Sequence, residues 1–171
     1  LNGSGVVSVT EDTGNLIDWP DIVEMFSRVL PVSMSRGVWV AAPDTFPQLA
    51  TMTVNVQNVA GTENVGGSAI WLNNGVEGPP VTILGRPVIF SEKVPALGTT
   101  GALSFIDFGF YLIGDRQAMQ ASSSAHVKFA SDKTAYKIVE RVDGRPWLNS
   151  ALTPRNGSSA TLSPYVTLAS A

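Results

Sequence analysis

Between Trp19 and Leu30 the apolar residues Ile22, Met25, Phe26, Val29 and Leu30 recur every three or four positions, a period that predicts an amphipathic helix with one face packed. Asp18 is placed as its N-cap, and Pro20 suits the first turn, where a missing N–H costs nothing. Asp21 and Glu24 complement the positive end of the helix dipole, and Pro31 closes the element. Gly37 and Pro43 bound the short apolar run Val38-Trp39-Val40-Ala41-Ala42, which reads as a buried strand. A second short helix is expected from Asp44 or Thr45, with Pro47 in its first turn and Phe46, Leu49, Ala50 and Met52 on its buried side.

Farther along, the pattern shortens to strand-length pieces. Val54 to Gly67 is polar and reads as a loop, Ser68 to Leu72 as a strand, and Asn73-Asn74-Gly75 as a turn. Val81 to Leu84 and Val88 to Phe90 form two β segments with a break at Gly85-Arg86-Pro87. Leu103 to Ile113 is apolar and aromatic, interrupted by Asp107 and Gly109, and predicts two strands or one bulged strand. The segments near Gln117–Ser122, Ala125–Ala130, Thr134–Val142 and Tyr165–Ala169 are expected to be mostly antiparallel strands, with Asp143-Gly144 as a hairpin turn. The order of elements is α+β, without an internal repeat.

Composition narrows the classes. Of 171 residues, 44% are hydrophobic, enough for one compact domain or one domain and a fragment, and 15% are charged, below the roughly one quarter usual in soluble domains. Such a surface suits a β-rich monomer or one covered by neighbours. A net charge of −3 has the wrong sign for holding nucleic acid by its phosphates. The absence of cysteine excludes disulfides and thiolate metal sites. No apolar run approaches a membrane span and Leu1-Asn2-Gly3-Ser4-Gly5 has no signal-peptide character, so the chain reads as soluble and not exported. Its loop-like start without methionine reads as the beginning of a fragment.

Chemistry is hard to find. His126 is the single histidine, flanked by Ala125, Val127 and Phe129 on an expected strand, and no G-x-S-x-G elbow is present. Phosphate loops of the G-x-x-x-x-G-K-[ST] and G-x-G-x-x-G kinds are missing. Glu11-Asp12 and Asn73-Asn74-Gly75-Val76-Glu77 lack the alternating carboxylates of a calcium loop and read as solvated turns. Trp19, Trp39, Trp71 and Trp147 could suggest a sugar platform, but Trp39 and Trp71 sit inside apolar strands and read as core. Two Asn-x-Ser sequons, at Asn2 and Asn156, carry no weight without a secretory signal. Neither cofactor nor metal nor catalytic residue is expected.

Several phrases stand in a definite order along the chain. They are Leu1-Asn2-Gly3-Ser4-Gly5, the helix Asp21 to Leu30, Val38 to Pro43, Leu49-Ala50-Thr51-Met52 and Ile83-Leu84-Gly85-Arg86-Pro87-Val88 with Ser91-Glu92 and Pro95. Asp107-Phe108 through Asp115-Arg116, Glu140-Arg141-Val142-Asp143-Gly144 and Ser163 to Leu168 complete the series. Their order resembles that in the major capsid proteins of tailed double-stranded DNA phages with the Hong Kong 97-type fold, and the resemblance implies an α+β capsid fold, an antiparallel sheet flanked by helices. Residues 1–18 would be a junction after a spine helix, 19–119 the axial domain, and 120–171 peripheral-domain strands and the C-terminus. The N-terminal arm, extended loop and spine helix of the family are expected upstream of this sequence.

The same resemblance implies a structural subunit that assembles with copies of itself into pentamers and hexamers around double-stranded DNA. Scaffold, portal or decoration proteins are further candidate partners. DNA would be enclosed without sequence-specific binding and no membrane would take part. The protein would sit in the virion after assembly in the bacterial cytoplasm. Arg86, Asp115, Arg116, Glu140 and Arg141 are the candidate charged subunit contacts, against the alternative of weakly contributing solvated charges. The loops Val59–Gly67, Asn73–Pro80 and Leu97–Gly101 are expected near ring contacts. An encapsulin-like compartment shell and a carbohydrate-binding β-rich module are the alternatives.

Overall fold

The computed structural model describes residues 5–53, 82–157 and 159–170. The expected loop at Val54–Gly67, strand at Ser68–Leu72, turn at Asn73–Gly75 and two of the three ring-contact loops lie outside them. The chain divides into two compact units, Leu1–Phe110 with Leu148–Ala171, here the body, and Tyr111–Trp147, here the ribbon. The expected boundary between residues 119 and 120 falls inside a strand of the ribbon.

The body is built on a six-stranded sheet among the described residues. In chain order its strands are β1 (Val7–Thr10), β2 (Val38–Ala41), β3 (Thr82–Ile83), β4 (Arg86–Phe90), β5 (Leu103–Ile106) and, C-terminal to the ribbon, a last strand Tyr165–Ala169. This last strand lies between β1, to which it is parallel, and β5, to which it is antiparallel. β2 pairs antiparallel with β5 and parallel with β4, and β4 closes a hairpin with β3. The sheet is therefore mixed, where an antiparallel one was expected. β1 was also not anticipated: four residues of alternating burial in a start that reads as a loop carry little local signal, and pairing with the last strand makes them β.

Register explains where the core sits. Val88, Trp39, Phe105, Val166 and Val7 are neighbours across five strands, forming one continuous apolar row because paired residues share a face. The adjacent row, Ile89, Val40, Ser104, Thr167 and Ser8, faces the other way and is largely polar. Its Ser8 and Thr167 hydroxyls lie 3.3 Å apart, and Ser104 donates to the Gly101 carbonyl.

Helix α1 (Trp19–Ser27) belongs to the core of the apolar face through Ile22 and Met25. Phe26 meets Phe105 edge-on at 5.7 Å between ring centroids, and Phe105 meets Trp39 at 5.0 Å and 73°, geometries that add to the area term. The Trp39 indole N–H donates to the Ile83 carbonyl at 3.1 Å, so the ring is buried without an orphaned donor. The N-cap at Asp18 and Pro20 in the first turn are as expected. The helix ends at Ser27, three residues short of Leu30, because Leu30 N–H donates to the Ser163 carbonyl and Ser163 N–H to the Arg28 carbonyl. Tertiary pairing replaces the final helical turn.

The second helix, α2 (Phe46–Thr51), follows a 3-10 turn at Pro43–Thr45. Leu49 and Met52 are buried as expected, but Phe46 remains 36% exposed, its ring packed edge-on against Phe90. The expected break at Gly85-Arg86-Pro87 is a tighter turn. Leu84 and Gly85 take positive φ, the conformation of a two-residue hairpin, and Arg86 and Pro87 already belong to β4. Leu97–Gly101 is a tied turn, with Leu97 N–H bonded to Asp44 and Gly101 N–H to the Leu168 carbonyl. Among the described residues no helix is long and apolar enough to cross a membrane.

The ribbon has two long antiparallel strands, β6 (Tyr111–Ser124) and β7 (Ala135–Pro146); the last body strand is β8. Two pieces expected as separate β segments, around Leu112 and around Gln117, are one strand, β6, preceded by a 3-10 turn at Phe108–Phe110. Ala125–Ala130 is not a strand, since His126–Ser131 forms the 3-10 connection, closed by Asp132 in the left-handed region. Asp143-Gly144 is not a hairpin turn either: it lies within β7, opposite Gly114 and Ile113. A Cβ on Gly144 would come within 2.6 Å of the Tyr111 ring, so the glycine admits the aromatic side chain beside it.

Candidate functional site

The carboxylates of Asp12, Asp18 and Asp21 lie within 4.8 Å of one another, a spacing that suits a cation site. The bonding says otherwise. Asp21 accepts from the Asp12 and Asp18 N–H groups at 3.2 Å each, while Asp18 accepts from the Asp21 N–H, a capping box at the start of α1. Burial pushes the Asp21 carboxyl up to about 6, against the two N–H groups that favour its charge and with the Asp18 carboxylate adding to the rise. A carboxyl disposed to hold a proton, with its oxygens committed to backbone, is a poor cation ligand.

At the end of β5, Arg36 pairs with Asp107 at 2.9 Å. Burial alone would raise Asp107, but the neighbouring Ser33 hydroxyl, the Gly109 N–H and Arg36 outweigh it and hold the carboxyl below its ordinary value. Arg36 also lies over the Phe110 ring, and the Tyr165 hydroxyl donates to the Phe110 carbonyl. These contacts fix the backbone just before the ribbon begins.

Of the candidate contact residues, Arg86 is in the body, half-buried, with its Nε donating to the Gly37 carbonyl at 2.9 Å. That is a structural bond between β4 and the start of β2. Asp115, Arg116, Glu140 and Arg141 all fall on the ribbon and are all exposed. Two register shifts on β6, between Asp115 and Gln117 and between Gln117 and Gln120, lie beside them, which marks this as the bulged part of the ribbon. None of the four makes an ion pair: among the described residues the two pairs are Arg36–Asp107 and Lys93–Glu92.

The alternation of β7 separates these four further. Tyr136, Ile138, Glu140, Val142 and Gly144 point to one side, with Asp115 and Ile113 as cross-strand neighbours of Val142 and Gly144. Lys137, Val139, Arg141, Asp143 and Arg145 point to the other, opposite Ser122, Gln120, Gln117, Gly114 and Leu112. One face is thus mainly apolar, with Tyr136 80%, Ile138 69% and Ile113 72% exposed. The other is cationic. Sequence reasoning named Arg141 but neither Lys137 nor Arg145, which lie on the same side of β7. Their spacing of four residues is visible in the chain, but only if the strand runs on through Asp143-Gly144. Among the described tryptophans Trp39 is enclosed, Trp19 is half-buried and Trp147 is exposed, too little for a stacking platform.

Comparison with known proteins gives a consistent picture. The model of the Phage capsid family matches residues 2–156. Among solved structures the chain is similar to "Capsid of empty GTA particle computed with C5 symmetry", at 17% identity and TM-score 0.66, over 96% of this chain and 50% of that one. It is also similar to "Capsid of native GTA particle computed with C5 symmetry", at 16% identity and TM-score 0.60, over 96% and 49%. At such identities the likeness speaks for the fold. The chain spans about half the length of these capsid chains. None of the curated proteins matches it.

Proposed function

We propose, from the premise that this chain belongs to the phage capsid family, that it is a structural shell subunit whose copies assemble into pentamers and hexamers around double-stranded DNA. It works by repeated contact, needs no cofactor and catalyses nothing. The observation that carries this reading, beside the family match, is the ribbon: from Tyr111 to Trp147 no described residue is buried, yet Ile113, Tyr136, Ile138 and Val142 line up on one face. An exposed apolar strip on a two-stranded hairpin, which is marginal alone, suits an element completed by a neighbour.

On this reading the body is the axial domain and the ribbon the peripheral strands. The chain then leaves the axial domain at Phe110 and returns to it at Leu148, in place of a single crossing near residue 119. Asp115, Arg116, Glu140 and Arg141 remain subunit-contact residues, whereas Arg86 serves its own fold. Scaffold, portal and decoration proteins would be further partners. The protein would reach the virion from the bacterial cytoplasm, and DNA would be enclosed without sequence-specific binding. Negative-stain electron microscopy and light scattering of the full gene product test this. Closed particles or rings are expected; a strictly monomeric product would overturn it.

A further inference from the structure

The cationic face of the ribbon is more than a row of solvated charges. Lys137 and Arg141 line one open depression of about 460 Å³ together with Gln117, Gln120 and Ser122, so two cations and three neutral polar side chains converge on one place. Among the described residues neither cation is in an ion pair, since the two pairs present lie elsewhere. Arg145 continues the row four residues on, on the same side of β7.

Charge is also divided between the two units. Tyr111–Trp147 carries six basic residues against four acidic, whereas the rest of the chain carries five against ten. The net −3 of the whole chain conceals a cationic ribbon and an anionic body. We propose that the cationic face of the ribbon, centred on Lys137 and Arg141, docks on carboxylates of the body of a second copy of this chain. The inference rests on the shell-subunit reading and names the partner surface within it.

The complementarity is what identifies the occupant. Like bodies repel and ribbon-to-body contacts attract, so identical copies are steered toward a heterologous, head-to-tail contact. Such contacts form rings when the rotation between copies closes. Nucleic-acid phosphate is the competing polyanion, but every copy that brings a cationic ribbon also brings a body with twice as many acids as bases, which opposes phosphate and supplies carboxylate. Within a lattice those carboxylates are present at high effective concentration.

The test uses the full gene product and two double variants, Lys137→Glu with Arg141→Glu, and Lys137→Gln with Arg141→Gln. Both sites are exposed, so circular dichroism should be unchanged, and the glutamine pair keeps the test alive if the glutamate pair folds poorly. Assembly is followed by light scattering against protein concentration, and particles are assayed for retained DNA. The glutamate variant should raise the concentration needed for assembly on the order of ten-fold or more, the glutamine variant less. Added salt should weaken wild-type assembly, change the glutamine variant little, and ease assembly of the glutamate variant by screening its repulsion. Assembly of both variants at wild-type concentration overturns the proposal. Unchanged assembly with DNA retention lost would assign the face to nucleic acid instead. If wild type itself forms no particles, the shell reading falls, and this inference with it.

Discussion

In the body, β5 is buried at all four residues and β8 at four of five; in the ribbon, fourteen residues of β6 and twelve of β7 include none that is buried. Both regions are hydrogen-bonded β structure, so backbone pairing alone does not distinguish them. The difference is what lies on the two faces. β5 and β8 have side chains enclosed on both sides, and stability there comes from apolar area removed from water. Without such burial the ribbon depends on its ladder and a few cross-strand pairs, each worth about 0.2–1 kcal/mol. The body carries its own apolar core, while the ribbon leaves its apolar strip exposed.

That contrast can be broken most forcefully at Trp39. Its ring is fully buried and touches Phe105 and Phe26, so Trp39→Ala should cost about 3–5 kcal/mol, seen as a lower urea midpoint. A loss near zero would mean that the body core is not the source of stability. A smaller and pH-dependent effect is expected at Asp21. Its carboxyl is raised from 3.8 to about 6, so the folded state binds the proton more tightly. This contribution is fully present below pH 3.8 and lost as pH rises through about 6. Asp21→Asn should therefore narrow the difference in unfolding free energy between pH 4 and pH 7 by on the order of 2–3 kcal/mol. The same difference in variant and wild type would refute the assignment. The smallest effect on stability is expected in the ribbon: Ile138→Ser should change unfolding by no more than about 0.5 kcal/mol, yet reduce particle yield. A large destabilisation of the isolated chain would erase the contrast.

Legibility followed the range of the forces involved. α1 was readable because its stripe, Asp18 cap and Pro20 are local, and β2 because Gly37 and Pro43 bracket a short apolar run. β1 was not, since Val7 and Val9 become core only once β8 lies beside them. Asp143-Gly144 misled for the opposite reason: the dipeptide favours a turn locally, but eleven register pairs in the ribbon carry β7 straight through it. Asp115, Arg116, Glu140 and Arg141 were named from the chain as candidate contacts, whereas the face shared by Arg141, Lys137 and Gln117 needed the register.

The sequence by itself determined an α+β chain without cysteine, with little charge, a capped first helix and an order of phrases that resembles a capsid subunit. These follow from residue identity and from contacts within a few positions. Only the tertiary structure decided that β8 lies between β1 and β5, that Arg86 bonds to the Gly37 carbonyl, and that the surplus of positive charge is gathered on one face of a ribbon. Strand order, register and side-chain face are set by pairing between distant segments, whose free energy depends on which partners meet and is not written into either segment alone.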